Sequence, residues 1–581
     1  MVPKGLLRNF VPQTCFSLLM MPNTLRASLV TCIRQWGRVF FFGFFFGALG
    51  YAAPLVSWAQ QDLPPTQVPI DPASITIHRD SFGTPTIFAP TDAAAAYGLA
   101  WAHCEDDFKT LQQMLLLARG RLGEYMGPGG AVADYFGQWL RARQKAEAEY
   151  PQLSPAYRAY VEGYVAGLNA YAQAHPEDWL LKDLGEVTPI DISIGYVIVM
   201  AGMVGVADAL TAVMDGKADE YIFNPGATGM GSNAFAISPD KSTDGQTHLV
   251  INPHVPLEGL ASFYQAHIYS EEGLEFHGVV VPGTPAFGMG VNDDLGWAMT
   301  FNWPKFTDIY RLTINPKNKN QYRYDGEWLD FEQEKIRLKA KLGFFNLPIK
   351  KKAYWTKYGP AFKTKHGFFA FRFPENLPSR AGQQWFEMSR ARTKDAFEKA
   401  LELRSIPLFN VLYADKAGNI GYWFNGLLPK RDPYFDWSKA VPGDTSATRW
   451  TAYYPLSFNP QVHNPQAGYV YNTNNTPFHV TADPENLSPS DYPAHLHMHW
   501  NRENNRDLRF RELIEQYDKL GPADLRAIKF DPNYPQKHPD AGVYSFKKAL
   551  AKVDRSRYPR LAEAIQLLEN WNYQGDKANK G

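Results

Sequence analysis

The 581-residue chain is poor in cysteine and has no net charge: it holds three Cys, and its 59 Lys and Arg are matched by 59 Asp and Glu. A sum of zero gives no electrostatic footprint for nucleic acid or for an anionic membrane surface. The chain also lacks a G-x-S-x-G elbow, an H-E-x-x-H pair, a Walker loop and a C-x-x-C pair. The usual serine hydrolase, zinc protease, nucleotide and redox signatures are therefore missing. No internal repeat or low-complexity linker divides the chain after residue 60. What is present is 45% apolar and 14% aromatic residues with 20% charged, the composition of a packed globular protein.

The charges are unevenly placed. Residues 1–59 contain Lys4, Arg8, Arg26, Arg34 and Arg38 and no acid. An uncharged, Phe-rich run starts at Val39 and ends in Ser57-Trp58-Ala59, before Gln60. A basic segment, an apolar segment and a small-x-small exit read as a secretory signal peptide, 1–59, with a start at Met20 or Met21 as an alternative. The competing reading is an uncleaved membrane anchor. Removal leaves 54 bases (59 less five) against 59 acids, and Cys104 alone of the cysteines. The expectation is a periplasmic or secreted protein with no stable membrane anchor and no internal disulfide, held by a large core. Cys104 falls within a helical stretch, Ala93–Arg119, which favours a buried structural thiol over a nucleophile.

The pattern after the leader begins with a strand at Ile75-Thr76-Ile77. A long helix follows behind Thr91 or Asp92, and helical character extends to about Met214. From Ser232 the chain turns to short apolar strands: Ala234–Ile237, His248–Ile251, Phe263–Ile268, Val279–Val281 and Trp297–Phe301. A helix at Lys394–Leu403 leads to a hairpin of Val411–Ala414 and Ile420–Phe424. Helices return at Arg511–Leu520 and Pro559–Trp571. Helices, then strands, then helices point to an α+β fold with helices covering sheets.

Two segments carry candidate chemistry. In His495-Leu496-His497-Met498-His499 an extended backbone would set three imidazoles on one face, as in a zinc site; a solvated polar loop is the alternative. At Met230-Gly231-Ser232-Asn233 a small residue precedes a hydroxyl residue where helical sequence gives way to strands. If the Gly231–Ser232 bond were cut, Ser232 would carry its own α-amine, which titrates near ~8. Such an amine can take the hydroxyl proton that a histidine takes in a triad. The alternative is a plain turn into a strand.

The residues around this junction decide the reading. His78-Arg79-Asp80-Ser81-Phe82-Gly83-Thr84-Pro85, Ala95–Asp106 and Arg119-Gly120-Arg121-Leu122-Gly123-Glu124 precede it. After it come Gly231-Ser232-Asn233-Ala234, Asn252-Pro253-His254, Trp297-Ala298-Met299-Thr300-Phe301-Asn302, Asn472-Thr473-Asn474-Asn475-Thr476-Pro477, and Arg506 ahead of Arg511-Glu512-Leu513-Ile514. In this order the chain resembles the penicillin acylase family of N-terminal nucleophile hydrolases, from Ile75 to the C-terminus. It is most similar to the branch of acyl-homoserine-lactone, aculeacin and cephalosporin acylases.

The resemblance implies a four-layer αββα sandwich that processes itself into two chains. Residues 60–205 would form a helical α chain, 206–231 a spacer, and 232–581 a β chain that stops short of the family's usual end. The expected product is an α/β heterodimer. Ser232 would be the nucleophile and its α-amine the base, with His254 bracing the pair. The Phe301 backbone N–H and the Asn474 amide would form the oxyanion hole, and Arg506 would sit near the new amine. No cofactor would be needed for the chemistry. A structural calcium is a further candidate, because Asp308 matches one of its ligands, although Lys305 stands where another acid is expected. The expected activity is hydrolysis of an amide joining an acyl chain to an amine, on a small-molecule substrate. His254 and the aromatic neighbourhood of Phe235 and Phe301 favour an N-acyl homoserine lactone or similar fatty amide, with a β-lactam as the alternative. Two other classes stay open: a metal-dependent hydrolase built on His495, His497 and His499, and a non-catalytic acyl-ligand binding protein.

Overall fold

The computed structural model describes residues 69–221 and 231–579, apart from 303, 375–379, 499–502, 536–541 and 577. Residues 1–59, the stretch 222–230 of the expected spacer and His499 lie outside the described residues. Among the described residues no single helix is long and apolar enough to cross a membrane.

The first long helix, Asp92–Ala118, starts where the Thr91 hydroxyl accepts the Ala94 N–H, so Thr91 is the cap. It buries nearly every apolar residue it carries, Cys104 included. Its closest neighbour is the helix Pro155–Ala174. Contact there depends on two glycines one turn apart. A Cβ on Gly163 would stand 2.1 Å from the Ala93 carbonyl oxygen, and one on Gly167 2.3 Å from that of Tyr97. The helix Pro189–Met203, apolar all round as expected of a buried helix, completes the group.

These helices, with Ala381–Arg390, lie on a nine-stranded sheet. Its members include Pro85–Ala89, Tyr264–Ser270, Leu295–Thr300, Asn410–Asp415 and Ile420–Phe424. Against its other face packs a three-stranded sheet with Gly231–Ile237 in the middle, His248–His254 on one side and Tyr469–Asn472 on the other. Strand alternation divides the central strand. Ala234 and Ala236 share the inter-sheet core with Ala298, Leu412 and Tyr422. Phe235 and Ile237 face the other way, onto Phe510, Ile514, Leu525 and Ile528 of the helices Asn505–Ile514 and Pro522–Lys529. Helices, sheet, sheet, helices: the molecule is an αββα sandwich. A six-stranded sheet containing Asp308–Arg311 and the long hairpin Glu332–Leu342 with Phe345–Thr356 adjoins it.

Three expectations change. The late helix runs Asn505–Ile514, not Arg511–Leu520: the Asn504 side chain accepts the Arg506 and Asp507 N–H groups and starts it early. Leu520 instead bridges Ser242. The expected spacer from 206 meets an ordered helix, Val206–Asp215, with Val206, Ala209 and Val213 buried. Just beyond it, the Tyr221 hydroxyl donates to the Gly205 carbonyl. Finally, Phe235 points to the helix layer, because it is an odd step from Ser232 along the strand; its neighbourhood cannot line the face that Ser232 presents.

Candidate active site

Ser232 is the second residue of the central strand and is 5% exposed. Its Oγ donates to the carbonyl of Gly231, the peptide group that would be cut. Its backbone N–H donates to Asn474 Oδ1 at 2.7 Å. The same Oδ1 accepts from Arg506 Nη2 at 2.8 Å. Arg506 Nη1 reaches the Ser232 carbonyl and Asn233 Oδ1, both at 2.6 Å. Asn474 and Arg506 thus bracket the backbone of Ser232 on both sides of its Cα.

Each of these side chains is fixed from behind. Asn474 occupies the left-handed region at φ 68°, which Asn tolerates better than most residues. Its N–H donates to Asn472 Oδ1 at 2.9 Å, and its Nδ2 to the Phe301 carbonyl at 3.0 Å. Asn410 Nδ2 joins Thr300 Oγ1, the Phe301 carbonyl and Asn472 Oδ1. Asn504 caps the helix that carries Arg506 and also donates to the Thr473 carbonyl at 3.1 Å. Sequence reasoning missed Asn410, Asn472 and Thr300, since only sheet pairing brings them together; the position of Asn504 before a helix was the one available signal for it.

Gly231 has a steric reason. A Cβ there would lie 3.0 Å from both Arg506 Nη2 and Asn474 Oδ1, tight enough to displace the two groups that hold Ser232. His254 ends the neighbouring strand and stands opposite Gly231 in register. Burial, then the Arg506 charge, hold its imidazole below the usual range and so favour the neutral ring. Phe301 follows the strand Leu295–Thr300, is 7% exposed, and packs its ring against Phe409 at 5.2 Å. Its carbonyl accepts from Asn474 Nδ2.

Electrostatically the site is positive. The Arg506 partners just named are neutral oxygens, and no carboxylate among the described residues lies within ion-pair distance of it. Burial pulls its pKa down to about 10, which still leaves it charged at neutral pH. A cavity of about 450 Å³ borders Asn233, Phe235, Asn252, Arg506 and Phe510. It lies on the helix side of the central strand, whereas Ser232 Oγ shares the inter-sheet side with Ala234 and Ala236. It is thus not the space in front of the hydroxyl.

The serine hydroxyl thus lies against the carbonyl of its own preceding glycine, with its N–H held by Asn474 and its C=O by Arg506. The family model described as penicillin amidase matches residues 74–581. The chain belongs to the penicillin amidase family. It is 27% identical over 392 residues to the acyl-homoserine lactone acylase PvdQ of Pseudomonas fluorescens, covering 61% of this chain and 50% of that protein. It is 26% identical over 545 residues to the acyl-homoserine lactone acylase QuiP of Pseudomonas aeruginosa, covering 81% of this chain and 62% of that one. The chain thus spans about half the length of the first of these relatives. A thermostable penicillin G acylase from Alcaligenes faecalis superposes over 59% of each chain at 22% identity, with a TM-score of 0.47.

Two metal expectations fail on geometry. Asp308 Oδ2 accepts from Arg431 Nε at 2.7 Å and Trp450 Nε1 at 2.8 Å, and Lys305 Nζ lies 3.5 Å from its other oxygen. Two buried cations already neutralise this carboxylate, so the residues do not fit a calcium ion. His495 and His497 do not lie on an extended segment: Ala494–Leu496 is a 3₁₀ turn and His497 has φ 54°, which breaks the two-residue repeat. Among the described residues, ligand atoms of His479, Glu503 and Asp507 do lie within 4.8 Å of one another. There Arg511 pairs with Glu503 and lies 3.5 Å from Asp507, which makes this a charge network rather than an open site.

Proposed function

We propose that this chain is a self-cleaving acylase that hydrolyses a linear amide between an acyl group and an amine. The observation that carries the reading is the placement of the buried Ser232 Oγ on the Gly231 carbonyl while Asn474 Oδ1 holds the Ser232 nitrogen. In the intact chain Oγ attacks the Gly231 carbonyl carbon, the C–N bond breaks, and the acyl group moves to oxygen. Water then hydrolyses that ester and leaves a free amine on Ser232. Asn474 Oδ1, already accepting an N–H from this nitrogen, would keep the amine lone pair turned toward Oγ. The nearby Arg506 charge favours the neutral amine and so keeps it a base.

Substrate hydrolysis repeats the chemistry. The amine takes the Oγ proton, Oγ adds to the acyl carbonyl, and the proton passes to the departing amine; water then releases the acid. The oxyanion needs fixed donors, each typically worth ~10²–10³ in rate. The Phe301 N–H and the Asn474 amide are the proposed pair; an amide nitrogen carries two hydrogens, so a bond to the Phe301 carbonyl and one to an oxyanion are compatible.

The names of PvdQ and QuiP support an N-acyl homoserine lactone or related fatty amide as substrate, with a β-lactam as the alternative. The leader supports export to the periplasm or beyond. The buried helix 206–215 and the Tyr221 bond support an α chain that extends to about 221, leaving 222–231 as the spacer. A denaturing gel with N-terminal sequencing of the larger fragment tests the reading: it should begin at Ser232, and Ser232→Ala should stay uncut. A fragment starting elsewhere, or normal cleavage of that variant, would sink it.

A further inference from the structure

The chain's neutrality hides a strongly basic hairpin remote in sequence from Ser232. From Lys335 to Pro374 there is no Asp or Glu, while 335–352 alone holds Lys335, Arg337, Lys339, Lys341, Lys350, Lys351 and Lys352. The strands Glu332–Leu342 and Phe345–Thr356 pair antiparallel with Lys335 opposite Lys352 and Arg337 opposite Lys350. Residues directly opposite share a face. One face carries Ile336, Leu338 and Ala340, which are buried. The other carries Lys335, Arg337, Lys339, Lys341, Lys350 and Lys352, all exposed. Among the described residues only Lys339 of these six comes within ion-pair distance of a carboxylate, Glu124 at 3.5 Å.

Like charges facing each other across a ladder weaken it. A sheet that keeps two such pairs and adds two more cations is arranged for something outside the protein. The tip indicates what. Gly343, at φ 61°, and Phe344 make a two-residue turn, and Leu342, Phe344 and Phe345 are 40%, 108% and 62% exposed. A polyanion such as nucleic acid would use the cations but offers these apolar side chains no matching medium. An anionic bilayer uses both: headgroup charge attracts the lysines, and the interfacial layer accepts the rings.

We infer that this hairpin is a peripheral membrane-docking element that recognises anionic phospholipid headgroups, with Phe344 and Phe345 entering the interface. The test is co-sedimentation of the full chain with vesicles of phosphatidylglycerol and phosphatidylcholine in equal parts, alongside vesicles of phosphatidylcholine alone. Any contribution from residues 1–59 is common to all variants, so the comparison is between variants. Replacing Lys341 and Lys350 by Gln should weaken partitioning to the mixed vesicles about 25-fold, about fivefold for each cation, and the effect should shrink at high salt. Phe344→Ser with Phe345→Ser should weaken it further while leaving the melting temperature unchanged, since both side chains are exposed. Binding that is absent, or unchanged in both variants, overturns the inference. So does equal retention of duplex DNA by the wild type and the Phe344/Phe345 variant at the salt where vesicles bind, which would make the face a general polyanion site.

Discussion

Replacing Arg506 by Met isolates the effect of its charge on the Ser232 amine. Arg506 Nη1 lies 2.6 Å from the Ser232 carbonyl oxygen. The amine is three bonds from that oxygen, which places the two charges about 5 Å apart. At an effective dielectric of about 20 their repulsion is roughly 3 kcal/mol, equivalent to about two pKa units, and partial solvent access trims this to about one to two. An amine that would titrate near ~8 is thus expected near ~6–7 beside Arg506. Removing the positive charge stabilises the protonated amine, so its pKa rises. The acid limb of kcat/KM on a fatty acyl anilide should therefore move up by about one to two pH units in Arg506→Met. The loss would be about 10- to 100-fold at pH 6 and small at pH 9. Arg506→Lys keeps the charge but not the fork of donors: its acid limb should stay near that of the parent while its rate falls across the range. An acid limb unmoved in Arg506→Met would refute the electrostatic role and leave Arg506 as a structural clamp.

Asn474→Ala removes the acceptor for Ser232 N–H and Arg506 and a proposed oxyanion donor; kcat should fall ~10²–10³ with KM little changed, and a loss under tenfold would speak against the role. Gly163→Ala drives a Cβ into the Ala93 backbone, so thermal melting should show a loss of about 3 kcal/mol, the upper end for overpacking; an unchanged melt would mean the helices can part freely. Burial pushes Lys305 down to about 8, below its unfolded value, so the unfolded chain binds more protons between these values and stability should rise from pH 8 toward about 10.5. Chemical denaturation across that window should show the slope in the parent and its loss in Lys305→Met.

Much of the site was legible because its chemistry sits in short, ordered patterns. Gly231-Ser232 marks a junction by residue type, the Asn472–Asn475 run marks a tight turn, and Thr91 marks a helix cap. What was misread depended on direction rather than identity. Phe235 was taken as a neighbour of Ser232's face, but strand alternation turns it to Phe510. The histidines at 495 and 497 have metal-ligand spacing, yet a 3₁₀ turn separates their directions. Lys305 stands in the sequence where an acid is expected; folding places its ammonium 3.5 Å from Asp308.

The sequence by itself determined the alternation of helical and strand-rich segments, the Gly231-Ser232 pair where one gives way to the other, and the acid-free run after Lys335. These are properties of residue type and order, and local physics reads them directly. The tertiary structure alone decided that Asn474 and Arg506, more than two hundred residues along, close on the backbone of Ser232. It alone decided that six cations share one face of a hairpin and that the helix Val206–Asp215 buries Val206, Ala209 and Val213. Such contacts depend on sheet register and helix approach, which are set by the burial of the whole chain and written in no single segment of it.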